Sequence, residues 1–276
     1  MIGFSIFTVL PVLISIVFSF TSFDILQPPK WIWFENYFRL FFADSIFLTA
    51  IRNTLILAFV TGPVGYMLSL LMAWFINELR PKVRALVTFV FFAPTISGNM
   101  FLMWNLLFAT DSYGYLNGTL MRYGFIITPV NWLRNPDYMM GIAIMVSLWM
   151  SLGVGFLAFI AGFQGVDRSY YEAAAVDGIS NRWQELWFVT LPLMKSQMMF
   201  SAVMSITGAF SVGGVVSALF GDPSQDYAVH TIMNHLNDYG GVRFEMGYAS
   251  AIATLLFFIM IGANLVIKRL ISKVGE

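Results

Sequence analysis

The sequence contains no cysteine, which excludes disulfides, thiolate nucleophiles and thiolate metal sites but leaves the compartment open. Charge is scarce as well: 11% of the 276 residues are Asp, Glu, Lys or Arg, against about a quarter in ordinary globular domains. The two signs balance at 15 residues each, so no basic excess exists to hold nucleic acid. No Walker sequence, nucleophile elbow or paired-carboxylate site occurs. The chain therefore has no visible means of hydrolysing ATP, and it offers no catalytic residue and no cofactor site. His230 and His235 are five apart, without a third ligand and without the HExxH spacing, so they are expected to be solvated and to hold no metal.

What remains is largely soluble in hydrocarbon. Hydrophobic residues make up 58% of the chain and its mean hydropathy is +0.75, the composition of a membrane protein. The few charges mark its spans. Between them lie six apolar runs, each at least as long as the roughly 20 residues a bilayer core needs. The expectation is an all-α polytopic membrane protein, a single domain over residues 1–276, with spans at about 2–20, 53–77, 85–108, 139–163, 197–220 and 246–267. The first run lacks a basic start and a small-residue cleavage site, so it reads as a span rather than a signal peptide, with an abbreviated N-terminus. No acidic residue falls within a span, which argues against a proton- or sodium-coupled carrier.

Lysine and arginine orient the spans. One set of connections holds Arg80, Lys82, Arg84, Arg168, Arg182, Lys195, Lys268, Arg269 and Lys273; the other holds Lys30, Arg39, Arg122, Arg134 and Arg243. The richer set, with both termini, is expected to face the cytoplasm.

Irregularities lie at informative places. Pro11 predicts a kink in the first span, and Trp31, Trp33, Phe34, Tyr37 and Phe38 suit a headgroup layer. Residues Pro94, Ser97, Gly98 and Asn99 weaken the third span at mid-membrane depth, as in helices that line a pathway or pack closely. The 110–138 segment is long enough for a small helical cap. Hydroxyls and small residues on the fourth and fifth spans fit either helix–helix adhesion or a polar lumen.

One polar stretch, RSYYEAAAVDGISNRWQELWFVTLP at 168–192, reads as two capped short helices. Ser169 and Glu172 have capping-box spacing and predict a helix from Tyr170 to a stop at Gly178. Asn181 and Gln184 repeat the spacing and predict a second helix from Arg182 until Pro192. Tyr170, Ala173, Ala174 and Asp177 share one small, polar face, suited to docking in another protein's groove or to packing on its own domain.

YYEAAAVDG followed by VTLP resembles the EAA motif of binding-protein-dependent ABC importer permeases, in the maltose-type sugar-importer (CUT1-like) form. FENYFRLF, RNTLILAFV, FFAPTISGNMFLMWNLLF, YGYLNG and GYASAIATLLFFI are similar to the family in the same order. The resemblance implies a type I ABC importer permease fold, with a cytoplasmic coupling helix between helices 4 and 5 in the 167–195 loop, in a prokaryotic inner or plasma membrane. It assigns ATPase coupling to Glu172, Ala173, Ala174, Asp177, Gly178, Leu191 and Pro192. By position it assigns a candidate solute cavity to Ser147, Trp149, Met150, Ser151, Val154, Ser205, Gly208 and Ala209. Implied partners are a second homologous permease subunit, two ATPase subunits that use ATP and Mg, an extracytoplasmic solute-binding protein and membrane lipid. The implied cargo is a carbohydrate, with an oligosaccharide expected; a polyol, a glycerol phosphate, or a non-transporting scaffold or sensor role are the alternatives. Three departures stand out, one of them Ile179, where the family often has alanine. The interval from Gly178 to VTLP is one residue longer than the family's, with Asn181 as the additional residue, and LFGDP at 219–223 replaces the family's glycine-rich loop.

Overall fold

The computed structural model describes residues 2–97 and 100–272; the readings placed on Gly98, Asn99 and Lys273 lie outside them. Among the described residues there is no β-strand, only two isolated bridges, Thr21 with Trp31 and Asp24 with Gln27. The chain divides into two compact units. One comprises Met1–Leu57, Leu106–Ala143 and Phe210–Ile261, the other Ala58–Asn105, Ile144–Ala209 and Gly262–Glu276.

Among the described residues, three helices are long and apolar enough to cross a membrane: Ser45–Asn77, Pro136–Gly165 (interrupted at 151–153) and Met246–Ser272. Two interrupted pairs, Pro81–Ile96 with Met100–Leu107 and Lys195–Phe210 with Gly213–Phe220, bring the number to five when each pair counts as one span. The apolar helix Ser5–Phe18 is shorter. Its first part, Ser5–Val9, is π-helical, so the irregularity expected at Pro11 is a widened turn just before that proline.

Local chemistry explains where these helices start. Asp44 precedes Ser45–Asn77, and its Oδ1 accepts the Phe47 amide at 2.9 Å, satisfying one of the donors a helix N-terminus leaves open. Pro63 lies inside that helix without ending it. The next helix opens at Pro81, where a missing N–H costs nothing, after Arg80 in an extended conformation.

The fourth apolar segment is broken between Pro136–Met150 and Val154–Gly165, which releases backbone carbonyls at a depth where water is scarce. A hydroxyl from a neighbouring helix takes one up: Ser69 Oγ donates to the Ser151 carbonyl at 3.0 Å. Close by, Ser201 Oγ adds a second bond to the Gly155 carbonyl, inside the first turn of Val154–Gly165, at 2.7 Å. Close approach is enforced at Gly65: a Cβ there would lie 2.8 Å from Ser151 Cβ. These hydroxyls and small residues therefore join helices. Around them Leu70, Phe156, Phe159, Leu186, Met194 and Met198 form the buried core of this unit.

In the other unit, the 110–138 segment carries the helix Tyr115–Arg122, closed by Asn117. That amide is fully buried; it donates to the carbonyls of Ala109, Asp111 and Val130 and accepts from Val130 N and Trp132 Nε1. Every polar atom of the side chain is used, which is the condition for burying it without loss. Trp31, Trp33, Phe34 and Phe38 are exposed, whereas Tyr37 donates to Ser19 Oγ.

Candidate functional site

The 167–195 segment is a helix, a glycine bend and a second helical stretch, with caps that differ from those expected. The first helix is Arg168–Val176, two residues earlier than predicted, because Asp167 is the cap: its Oδ1 accepts the Ser169 amide at 2.8 Å. Hydrogen bonds from the Ser169 amide and hydroxyl hold the exposed Asp167 carboxyl below its ordinary range. Glu172 does not complete a capping box; it pairs with Arg168 at 3.2 Å, one turn back on the exposed surface. A carboxylate at the true cap position outcompetes a serine two residues on, since it accepts more strongly and opposes the helix dipole.

The helix ends as predicted at Gly178, whose φ of +91° is left-handed. The Gly178 amide donates to the Ala175 carbonyl and the Ile179 amide to the Ala174 carbonyl, the paired bonds of a Schellman closure. Asn181 caps the second stretch by accepting the Trp183 amide at 3.0 Å. Pro192 does not terminate it. Glu185–Thr190 are π-helical, Leu191–Leu193 continue as α-helix, and Lys195–Phe210 follows. A π turn spans one more residue than an α turn, so the backbone of this segment is widened at 185–190, and Asn181 occupies a cap.

The faces of Arg168–Val176 also separate. Ala174 is buried, and Tyr171 hydrogen-bonds Thr190 Oγ1 at 2.9 Å, itself bonded to the Glu185 carbonyl. Ala174 therefore packs inward and is not on a docking face. Tyr170 is half exposed, Glu172, Ala173 and Asp177 are exposed, and Val176 is 88% exposed, the last absent from the sequence-based set although it continues the free ridge. Leu191 is buried. Beside the helix is a cavity of about 350 Å³ lined by Trp74, Glu78, Arg84, Arg168, Tyr171 and Arg182. Arg182 ties it together, pairing with Glu78 at 3.0 Å and Glu185 at 2.9 Å, and the two carboxylates raise its pKa.

The candidate solute residues are not one set. Ser151 Oγ donates to the Leu148 carbonyl at 2.6 Å and its Cβ abuts Gly65, while Ala209 is buried and would be 3.6 Å from a Cβ at Gly62. Both are packing contacts. Trp149 meets Trp104 edge-on at 5.3 Å. Val154 and Gly208 are exposed, Met150 and Ser205 are half-buried, and Ser147 Oγ is buried with no hydrogen bond among the described residues.

His230 and His235, expected to be solvated, are 2% exposed. They lie in a hydrogen-bonded chain: His230 Nε2 is 3.3 Å from His235 Nδ1, and His235 Nε2 is 3.0 Å from Asp44 Oδ2, which also accepts from the Tyr248 hydroxyl at 2.8 Å. Asp44, the partner of His235, is 191 positions away along the chain, out of reach of any local reading.

Apolar helices of membrane-spanning length, a helix break repaired by a neighbouring hydroxyl, and a capped polar helix set between two apolar segments define a multi-pass membrane protein. The chain belongs to the family of binding-protein-dependent transport system inner membrane components, which matches residues 65–275. It is 31% identical to the probable ABC transporter permease protein YesP of Bacillus subtilis (strain 168), over 94% of this chain and 83% of that protein. It is 27% identical to the arabinooligosaccharides transport system permease protein AraP of the same organism, over 98% and 85%. Among solved structures, a bacterial alginate ABC transporter in complex with alginate pentasaccharide-bound periplasmic protein aligns with a TM-score of 0.80 at 25% identity, covering all of this chain and 93% of that one. A bacterial ABC transporter involved in the import of the acidic polysaccharide alginate aligns at 0.77 and 27% identity, over 97% and 92%. This is an inner-membrane protein with the fold of ABC importer permeases.

Proposed function

We propose that the chain is the transmembrane subunit of an ATP-driven, binding-protein-dependent importer of an oligosaccharide, acting as one permease domain that forms half of the pathway. Its partners are a second, similar permease chain, two ATPase subunits and an extracytoplasmic solute-binding protein. ATP and Mg are used by the ATPases, and this chain needs no cofactor. Both termini and the 167–195 loop face the cytoplasm, in keeping with nine basic residues on that side against five on the other.

The observation that carries this reading is the Arg168–Val176 helix. It is fixed at one end by Asp167 and at the other by Gly178, anchored inward by Tyr171 and Ala174, and free along Tyr170, Ala173 and Val176. A short, rigid helix with a free ridge moves as a body when a partner grips it, and a rigid-body shift is how discrete inward- and outward-facing states interconvert. The AraP relative supports an oligosaccharide. The solved relatives act on an acidic polysaccharide; in this chain the basic residues of the membrane-length helices Ser45–Asn77 and Met246–Ser272, namely Arg52, Lys268 and Arg269, stand towards the helix ends rather than at mid-span, which favours a neutral sugar.

Uptake of a labelled neutral oligosaccharide into proteoliposomes holding the complete complex tests the proposal. Accumulation should require ATP and the binding protein together. Accumulation without either one, or none with both, contradicts the reading.

A further inference from the structure

The buried chain from Asp44 to His230 has only one consistent arrangement of protons. Asp44 Oδ2 accepts the Tyr248 hydroxyl and faces His235 Nε2, so that nitrogen carries the hydrogen. Burial raises the Asp44 carboxyl, but bonds from the Phe47 amide, from Tyr248 and from His235 outweigh it and keep the group ionised. A neutral His235 then presents a bare Nδ1, which among the described residues is met by His230 Nε2–H at 3.3 Å. His230 Nδ1 is left bare in turn. It is buried, makes no hydrogen bond among the described residues, and lies 3.8 Å from Asp222 Oδ1. Two acceptors facing each other cannot bond, which accounts for that gap.

Asp222 is held in place for a different purpose. Its Oδ2 accepts from Ser217 Oγ at 3.1 Å and from Asn234 Nδ2 at 3.2 Å, so Oδ1 stays directed at the imidazole. Asn234 is itself fixed by donating to the Gly213 carbonyl and to Ser217. The His230 carbonyl is anchored by Asn53 Nδ2 at 3.0 Å, and Tyr227 meets the His230 ring edge-on at 5.2 Å.

We propose that Nδ1 of His230 is a proton-binding site, with Asp222 as its counter-ion and the Asp44–His235 pair as the element that keeps the opposite ring nitrogen protonated. A proton added there converts the 3.8 Å gap between acceptors into an N–H···O ion pair and leaves every other bond of the chain in place. The remaining charges near the site are accounted for. Asp238 favours the charged ring but is itself paired with Arg243 at 2.7 Å, and Arg243 lies over Tyr239. Arg39 is paired with Glu245 at 2.6 Å and lies over the Tyr248 ring. Burial first, and then the neighbouring His235, push His230 down to about 4, so the site is empty at neutral pH and fills in acid.

The chain has only two histidines, so selective ¹⁵N labelling of the full-length protein in lipid nanodiscs gives two resolvable imidazoles. At neutral pH both rings should be neutral with the hydrogen on Nε2. On acidification His230 should gain its proton at Nδ1, with a midpoint well below the ordinary 6.5. Asp222→Asn should lower that midpoint by about one further unit, the effect of losing a close opposite charge, whereas Ser217→Ala, which keeps the carboxylate, should leave His230 titrating well above the Asp222→Asn midpoint. A hydrogen on Nδ1 of His230 at neutral pH overturns the proposal, and this reading needs only the wild-type protein. An unmoved midpoint in Asp222→Asn overturns it as well.

Discussion

Gly65→Ala probes the repaired break in the fourth apolar segment. The added Cβ would be 2.8 Å from Ser151 Cβ and 3.1 Å from its Oγ. Carbon atoms rest at about 3.5–4.0 Å, so the two helices must part by close to 1 Å or tilt. Overpacking of that order costs about 1–3 kcal/mol. Parting the helices also strains the Ser69–Ser151 carbonyl bond that repairs the break, worth about another 1 kcal/mol. Thermal unfolding of the purified chain in detergent reads the loss, and a second substitution identifies its cause. Ser151→Ala keeps the Cβ that clashes and should not restore Gly65→Ala, whereas Ser151→Gly removes it and should show a favourable coupling of about 1–2 kcal/mol in a double-mutant cycle. An unshifted unfolding temperature in Gly65→Ala, or equal rescue by both partners, refutes the packing argument.

Two further outcomes follow from the caps and the buried histidines. Asp167→Ala should loosen the Arg168–Val176 helix, seen as faster amide exchange over its first turn, whereas Glu172→Ala, which removes only an exposed pair, should change that exchange far less. Stability should fall with acid: His230 drops from 6.5 in the unfolded chain to about 4 in the folded one, and His235 also moves down. A depressed folded value means the neutral ring contributes its full stability above about pH 6.5 and loses it progressively towards pH 4, so unfolding temperatures across that window should decline and His230→Gln should flatten the decline.

Much of the architecture is legible because membranes simplify the code. Charges are costly in hydrocarbon, so the long uncharged runs fall within Ser45–Asn77 and Met246–Ser272, although the first of these helices also runs through Arg52 and the second through Lys268 and Arg269. Gly178 is legible for a similar reason, since few residues other than glycine close a helix at positive φ. The start of that helix is not: Asp167 and Ser169 are both good caps, and spacing alone does not rank them. Ala174 and Ala173 look alike in sequence, and only the Tyr171–Thr190 bond shows which of them faces inward. Serines suit adhesion and a lumen equally in sequence, because the deciding partners, the backbone carbonyls of Ser151 and Gly155 on another helix, come within reach only after folding. A π-helical run such as Glu185–Thr190 has no side-chain signature at all, so the passage through Pro192 could not be foreseen.

The central claim is that the free ridge of Arg168–Val176 receives force from an ATPase. The direct measurement is solute-stimulated ATP hydrolysis by the reconstituted complex carrying Val176→Asp, which places a charge on the most exposed large hydrophobic side chain of the helix without touching its inward contacts. Assembly in the membrane should be unchanged and stimulation should fall at least tenfold, a loss of about 1.4 kcal/mol or more in coupling. Full stimulation in Val176→Asp, with Gly178→Val equally active, would show that this helix does not carry the coupling.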